Sequence, residues 1–176
     1  IETNNKITIE EDLKRRDITI NAIAQDVLTG EIIDPYGGTK DLKGKVIRAV
    51  STAFREDPLR VYRTCRFAAE LEFDIEENTI KMMHSLKEEL LTLSKERVFG
   101  ELRKALKSKR PSIFFEMLKK ANVLHIHFKE IYDLIGALQP EKYHPEGDSY
   151  NHTMLALDNS AKITNDEKIR FCVLVH

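Results

Sequence analysis

The stretch Glu56-Asp57-Pro58-Leu59-Arg60-Val61-Tyr62-Arg63-Thr64-Cys65-Arg66 sets one carboxylate and three guanidinium groups at three-residue intervals. Asp57 is a favoured N-cap type, and Pro58 suits the first helical position, where no backbone N–H is needed. A helix from there is expected to carry Asp57, Arg60, Arg63 and Arg66 down one side, because residues three apart are surface neighbours. Leu59, Val61, Tyr62, Phe67 and Ala69 would dock on a core. A carboxylate only accepts hydrogen bonds and a guanidinium only donates them. Side by side they match a base edge with an amino donor beside a bare ring nitrogen. Cytosine and adenine offer that order; uracil and guanine offer the reverse. Read alone, the string is also an N-capped helix with a solvated basic face.

A second group is Lys14-Arg15-Arg16-Asp17, with Asn21 one helical turn later. Paired arginine forks suit a triphosphate, through charge-assisted bidentate contacts. Asp17 can accept from a ribose hydroxyl or fix an arginine. A third is the basic stripe Lys95, Arg97, Arg103, Lys104, Lys107, Lys109 and Arg110, interrupted by Glu96 and Glu101. Such a stripe can follow a phosphate backbone, and can equally be a solvated helix face. His125 and His127 alternate with apolar residues and lack a partner at metal spacing, so they read as structural.

The elements that must position these groups are mainly helices. Residues 6–10 alternate like a short strand, and Asp12 to Ala24 reads as a helix. Residues 24–28 and 31–34 flank Thr29-Gly30 as a hairpin, Pro35-Tyr36-Gly37-Gly38 interrupts regular structure, and 46–50 reads as one more strand. Helices are expected over 58–71, 77–91, 95–107, 111–121 and 128–138, with Ser94 capping the third and Pro111 opening the fourth. A linker over 139–147 precedes helices over 149–161 and 166–176. The 28 basic and 29 acidic side chains of the 176 residues leave a net charge of -1, which favours no particular partner. Cys65 and Cys172 form no metal-binding spacing and suit a reducing cytoplasm. No apolar stretch reaches bilayer length, so no membrane partner is expected. Ile1 at one end and an apolar run to His176 at the other suggest a piece of something longer.

The order Glu10 to Ala24, then Ile33-Asp34-Pro35-Tyr36-Gly37-Gly38 with Asp41-Leu42, then Phe54 to Arg60, closely resembles the class II tRNA nucleotidyltransferases. These are the CCA-adding enzymes, with bacterial poly(A) polymerases as near relatives. The match continues through Arg66-Phe67-Ala68-Ala69 and Ser94 to Leu102, which resembles the family's neck motif. The resemblance implies a mostly α fold: a short β-containing remnant of a nucleotidyltransferase head (1–50), a helical neck (51–138) and the first helices of an HD domain (139–176). Its partners would be tRNA, CTP and ATP.

Carried over by position, nucleotide binding falls to Arg15, Arg16, Asp17, Asn21, Asp57, Arg60, Arg63 and Arg66. Arg16 and Asp17 take the sugar and phosphates, and Asp57 with Arg60 forms a protein template for C or A. Glu56, Glu96, Arg97 and Glu101 brace helices, and Gly37-Gly38 fits a turn between head and neck. RNA binding is expected along Arg103, Lys104, Lys107, Lys109 and Arg110. The family's Mg2+ ligands are two carboxylates in a Gly-rich strand motif before the Arg-Arg-Asp segment, and residues 1–11 hold no Asp-x-Asp, so the chain alone is expected to be inactive. The run His144 to Thr153, with 170–176, resembles the opening of an HD phosphohydrolase, making His152 and His176 candidate ligands for a divalent metal. Poly(A) addition, partial CC- or A-addition, HD-type hydrolysis and noncatalytic RNA binding remain the alternatives.

Overall fold

The computed structural model describes residues 7–137 and 147–176. Helix α1 (Ile9–Lys14) starts at a capping box: the Glu11 N–H donates to the Thr8 hydroxyl, and the Thr8 N–H to the Glu11 carboxylate. That box pulls residues 9 and 10 into a helix where alternation suggested a strand. The helix stops at Lys14 rather than continuing toward Ala24. The fully buried Ile18 turns extended instead and bridges Ala49, followed by a 3₁₀ turn over Thr19–Asn21. The β-branched Ile18 fits that extended backbone better than a helix interior.

The expected hairpin forms, with β1 (Ala24–Gln25) antiparallel to β2 (Ile32–Ile33) and Ala24 opposite Ile33. Its strands are shorter than the alternation suggested, because the Asp26 carboxylate takes the N–H groups of Leu28 and Thr29 into a turn. The Asp34 carboxylate then accepts from Gly38 and Thr39 N–H and starts α2 (Gly38–Gly44). Gly37-Gly38 therefore opens a helix where a turn between head and neck was expected. Gly38 is obligatory by contact, since a Cβ there would sit 2.2 Å from the Thr19 carbonyl oxygen. Strand β3 (Val46–Ile47) pairs in parallel with β4 (Asp74–Ile75).

Between these strands runs α3 (Arg60–Leu71), the axis of the helical part. Its Val61, Tyr62, Cys65, Ala68 and Ala69 are fully buried. It packs on α6 (Lys95–Ala105) and α7 (Ser112–Lys120). Tyr62 meets Phe114 and Phe128 at centroid distances of 6.5 and 6.1 Å, and its hydroxyl lies 2.6 Å from His127 Nδ1. Burying each large apolar side chain contributes about 1.5–3 kcal/mol. The helix expected over 77–91 is split at Leu86 into α4 (Glu77–Ser85) and α5 (Lys87–Leu90). That expected from 128 is two short turns beginning earlier, α8 (Leu124–His127) and α9 (Lys129–Tyr132). Residue 138, His144 and most of the expected linker lie outside the described residues.

α10 (Ser149–Ile163) and α11 (Glu167–Leu174) fall where the sequence placed helices. Arg170 fastens them to the segment that follows α6. Only 1 % exposed, it donates to the carbonyls of Leu106, Ser108, Ala161 and Thr164. The buried apolar side chains form one continuous cluster from Ile18 to Leu174.

Candidate nucleotide site

The loop after α1, the start of α3 and the start of α6 enclose a cavity of about 680 Å³ lined by Arg15, Arg16, Asp17, Asn21, Asp57, Leu59, Arg60, Arg63 and Arg97. Seven of the eight residues expected to bind nucleotide therefore meet in one place, although up to 48 positions separate Arg15 from Arg63. Five guanidinium groups face two carboxylates there, which suits an anion.

Each side chain has a distinct local anchor. Asp57 is not the formal N-cap of α3, but its Oδ1 accepts from the Leu59 N–H at 3.0 Å and holds the turn before Arg60. Arg97 Nη2 reaches Asp57 Oδ1 and Oδ2 at 3.2 and 3.1 Å. Arg60 donates to the carbonyls of Ala53 (2.6 Å) and Arg15 (2.8 Å), so it ties the start of α3 to the loop after α1 while keeping three of five donors. Arg63 donates through Nε and Nη2 to Asp17 Oδ2 at 2.9 and 2.7 Å. Burial pushes the Asp17 carboxyl up, but hydrogen bonds from Asn21 and Arg63, the Arg63 charge and the Ile18 N–H hold it below the usual carboxylate range. Arg15 and Arg16 pair only with Asp12 among the described residues, and are 58% and 54% exposed. Exposed pairs of that kind contribute little, so both forks are available to a ligand.

Arg66 departs from the expected stripe. It is 7% exposed, faces away from the cavity, and pairs with Glu101 and Glu70 at 2.6 Å each. A three-residue step falls about 60° short of a full turn on a helix of 3.6 residues per turn, so three steps from Asp57 reach the opposite face. Arg97 is the reverse case. Assigned to bracing by resemblance, it is a wall of the cavity and the ion partner of Asp57. Its helix is Ser94-capped as expected, but nothing local to it announces a partner 40 residues earlier.

The basic stripe is largely paired. Arg103 and Lys107 engage Glu167 of α11, Lys104 engages Glu101 at 2.8 Å, and Arg110 lies 3.6 Å from Asp158 of α10. Lys109 is exposed. His127 is structural, as its spacing suggested. His152 and His176 approach with ring centroids 5.7 Å apart, and His176 Nδ1 is 2.5 Å from the Val173 carbonyl oxygen. No group of three or more His, Cys, Asp or Glu side chains that could hold a metal occurs among the described residues. The cavity's own carboxylates do not fit a divalent cation, since both are neutralised by arginine.

A family model for the poly(A) polymerase head domain matches residues 2–48. Another, for the probable RNA and SrmB-binding site of polymerase A, matches 72–134. The multifunctional CCA protein of Shewanella denitrificans is 48% identical over 180 residues, covering 99% of this chain and 43% of that protein. A tRNA nucleotidyltransferase solved with a primer tRNA and an incoming ATP analogue superposes with a TM-score of 0.73 at 30% identity, over 99% of this chain and 52% of that one. A tRNA-processing enzyme solved with CTP gives 0.71 at 30% identity, over 96% and 47%. The chain thus spans under half the length of the curated relative.

Proposed function

The chain belongs to the family of tRNA nucleotidyltransferases and poly(A) polymerases, and from that membership we propose that its cavity receives CTP or ATP for addition to a tRNA 3′ end. One observation carries this reading: Asp57, an acceptor, and Arg60, a donor, stand in one cavity with the exposed forks of Arg15 and Arg16. Asp57 takes the amino group of cytosine or adenine, and Arg60 donates to the adjacent ring nitrogen. Arg97 neutralises Asp57 from behind, which keeps the carboxylate from repelling a triphosphate. Arg15 and Arg16 hold the phosphates. The terminal ribose hydroxyl of the tRNA attacks, and pyrophosphate leaves. Magnesium serves that step in this reading, and its ligation is assigned to none of the cavity residues.

In the same reading residues 1–50 are the end of a nucleotidyltransferase head, 51–138 the neck and 139–176 the opening of an HD domain. Exposed Lys109 and the outer faces of Lys104 and Arg110 are the RNA-facing cations. His152 and His176 contribute to a metal site only if further ligands join them.

Equilibrium titration of the chain with CTP, ATP, UTP and GTP tests the template. A reversed base edge leaves donors and acceptors unpaired at about 1–3 kcal/mol each, so CTP and ATP should bind at least about tenfold tighter. An Asp57→Ala, Arg60→Ala double variant should bind all four alike. Retained selectivity in that variant removes the template role.

A further inference from the structure

We propose that the edge of α6 facing α8 and α9 is a twofold interface through which two copies of the chain associate. The inference is independent of the nucleotide reading. A cavity of about 520 Å³ lies on that edge, between the first turns of α6 and residues 126–130. Its floor is Val98, 3% exposed, with the half-buried Ile126, His127 and Phe128. Phe99 stands at its margin, 44% exposed, and meets Phe171 of α11 edge-on at a centroid distance of 5.7 Å. One residue turns a helix by about 100°, so Phe99 falls at the boundary of the face that buries Val98. A lone exposed phenylalanine calls for no partner. A phenyl ring beside an apolar cavity large enough to receive one is different, because knob and hole then share a surface.

The rim indicates the occupant. Two adjacent charge pairs border the cavity, Lys95-Glu96 on α6 and Lys129-Glu130 at the start of α9. All four side chains are exposed, and Lys129 alone among them forms an ion pair among the described residues, with Asp133 one turn on. Two positive and two negative charges cancel, so the rim has no surplus to attract a phosphate backbone. A second copy turned by a twofold axis meets it with opposite signs: Lys95 of each copy faces Glu130 of the other, and Glu96 faces Lys129. Phe99 of each copy enters the other's cavity, where Phe128 and His127 offer ring edges. The exposed Lys129–Asp133 pair costs little to share. Arg97 lies two residues from Phe99, about 200° round the helix, so the nucleotide cavity stays open in the dimer.

The test is sedimentation velocity of the 176-residue chain from micromolar to near-millimolar concentration, with circular dichroism as the check on fold. The chain should pass from monomer to dimer and stop there. Phe99→Asp should weaken the dimer at least about tenfold, as loss of a buried aromatic anchor does. Glu96→Lys and Lys129→Glu should each weaken it too, because each sets like charges opposite one another at two symmetric places. An equimolar mixture of those two variants should associate about as tightly as the parent, since every facing pair is again opposite in sign. The mixture keeps the proposal falsifiable should Phe99→Asp fold poorly. A monomer at every concentration overturns it, as do growth beyond the dimer, a dimer that survives in folded Phe99→Asp, and a mixture that stays monomeric. An RNA hairpin bound through Phe99 by a chain that remains monomeric assigns the face to nucleic acid and equally overturns it.

Discussion

Replacing Glu101 by leucine strips the joint between α3 and α6 of its central carboxylate, and with it the frame that holds Asp57, Arg60 and Arg97 together. Arg66 Nε meets Glu101 Oε2 at 2.6 Å, with side chains only 9% and 5% exposed. Removing one partner of a buried pair costs about 3–5 kcal/mol. Glu70 still reaches Arg66 at 2.6 Å, and at 32% exposure it compensates in part. A net loss of about 2–4 kcal/mol is expected from Glu101→Leu. At roughly 2–4 °C per kcal/mol for a chain of this size, thermal unfolding followed by circular dichroism should drop by about 5–15 °C. Replacing both partners, as Arg66→Met with Glu101→Leu, removes the stranded charge. That double variant should return to within about 1 kcal/mol of the parent, because apolar substitutes for buried pairs are often neutral. The cycle should thus show coupling of about 2 kcal/mol or more, within the range seen for contacting residues. Burial raises the Glu101 carboxyl, but Lys104 and Arg66 outweigh it and hold it below its ordinary value. A depressed carboxyl stabilises the fold above its unfolded value of about 4.3 and ceases to do so as pH falls through the folded value. The deficit of Glu101→Leu should therefore shrink below about pH 4. Additive single effects, or a drop under about 2 °C, would refute the reasoning.

Gly38→Ala should cost about 2 kcal/mol or more, because its Cβ meets the Thr19 carbonyl oxygen at 2.2 Å, and it should weaken CTP binding by displacing the turn that carries Asn21. Gly37→Ala, where φ is 74° and no atom lies within 4 Å, should cost only about 1 kcal/mol in urea unfolding and leave affinity alone. Burial holds the His127 imidazole below its ordinary value. An unfolded chain then takes up the proton first, so stability should be intact above about pH 6.5 and decline below it, and His127→Gln should flatten that decline in melts from pH 7.5 to 5.5.

The helices at 60–71, 95–105 and 112–120 were legible because caps and apolar spacing agree there, as at Ser94 and at the buried face of α3. The cavity was legible for a different reason: arginine pairs and isolated carboxylates have few uses besides anions and each other. What escaped was angular and long-range. Equal three-residue spacing concealed the drift that turns Arg66 inward. The acids that occupy Arg103, Lys107 and Arg110 of the basic stripe are Glu167 and Asp158, far along the chain and on helices of their own. The helix expected from Asp12 failed because long-range pairing of Ile18 with Ala49 outcompeted a local pattern.

A structure of the chain with CTP bound addresses the template most directly. The cytosine amino group should lie within about 3 Å of an Asp57 carboxylate oxygen, and an Arg60 nitrogen at a similar distance from the bare ring nitrogen. A base seated elsewhere, with Asp57 still closed on Arg97 and Arg60 engaging only the Ala53 and Arg15 carbonyls, would contradict the account.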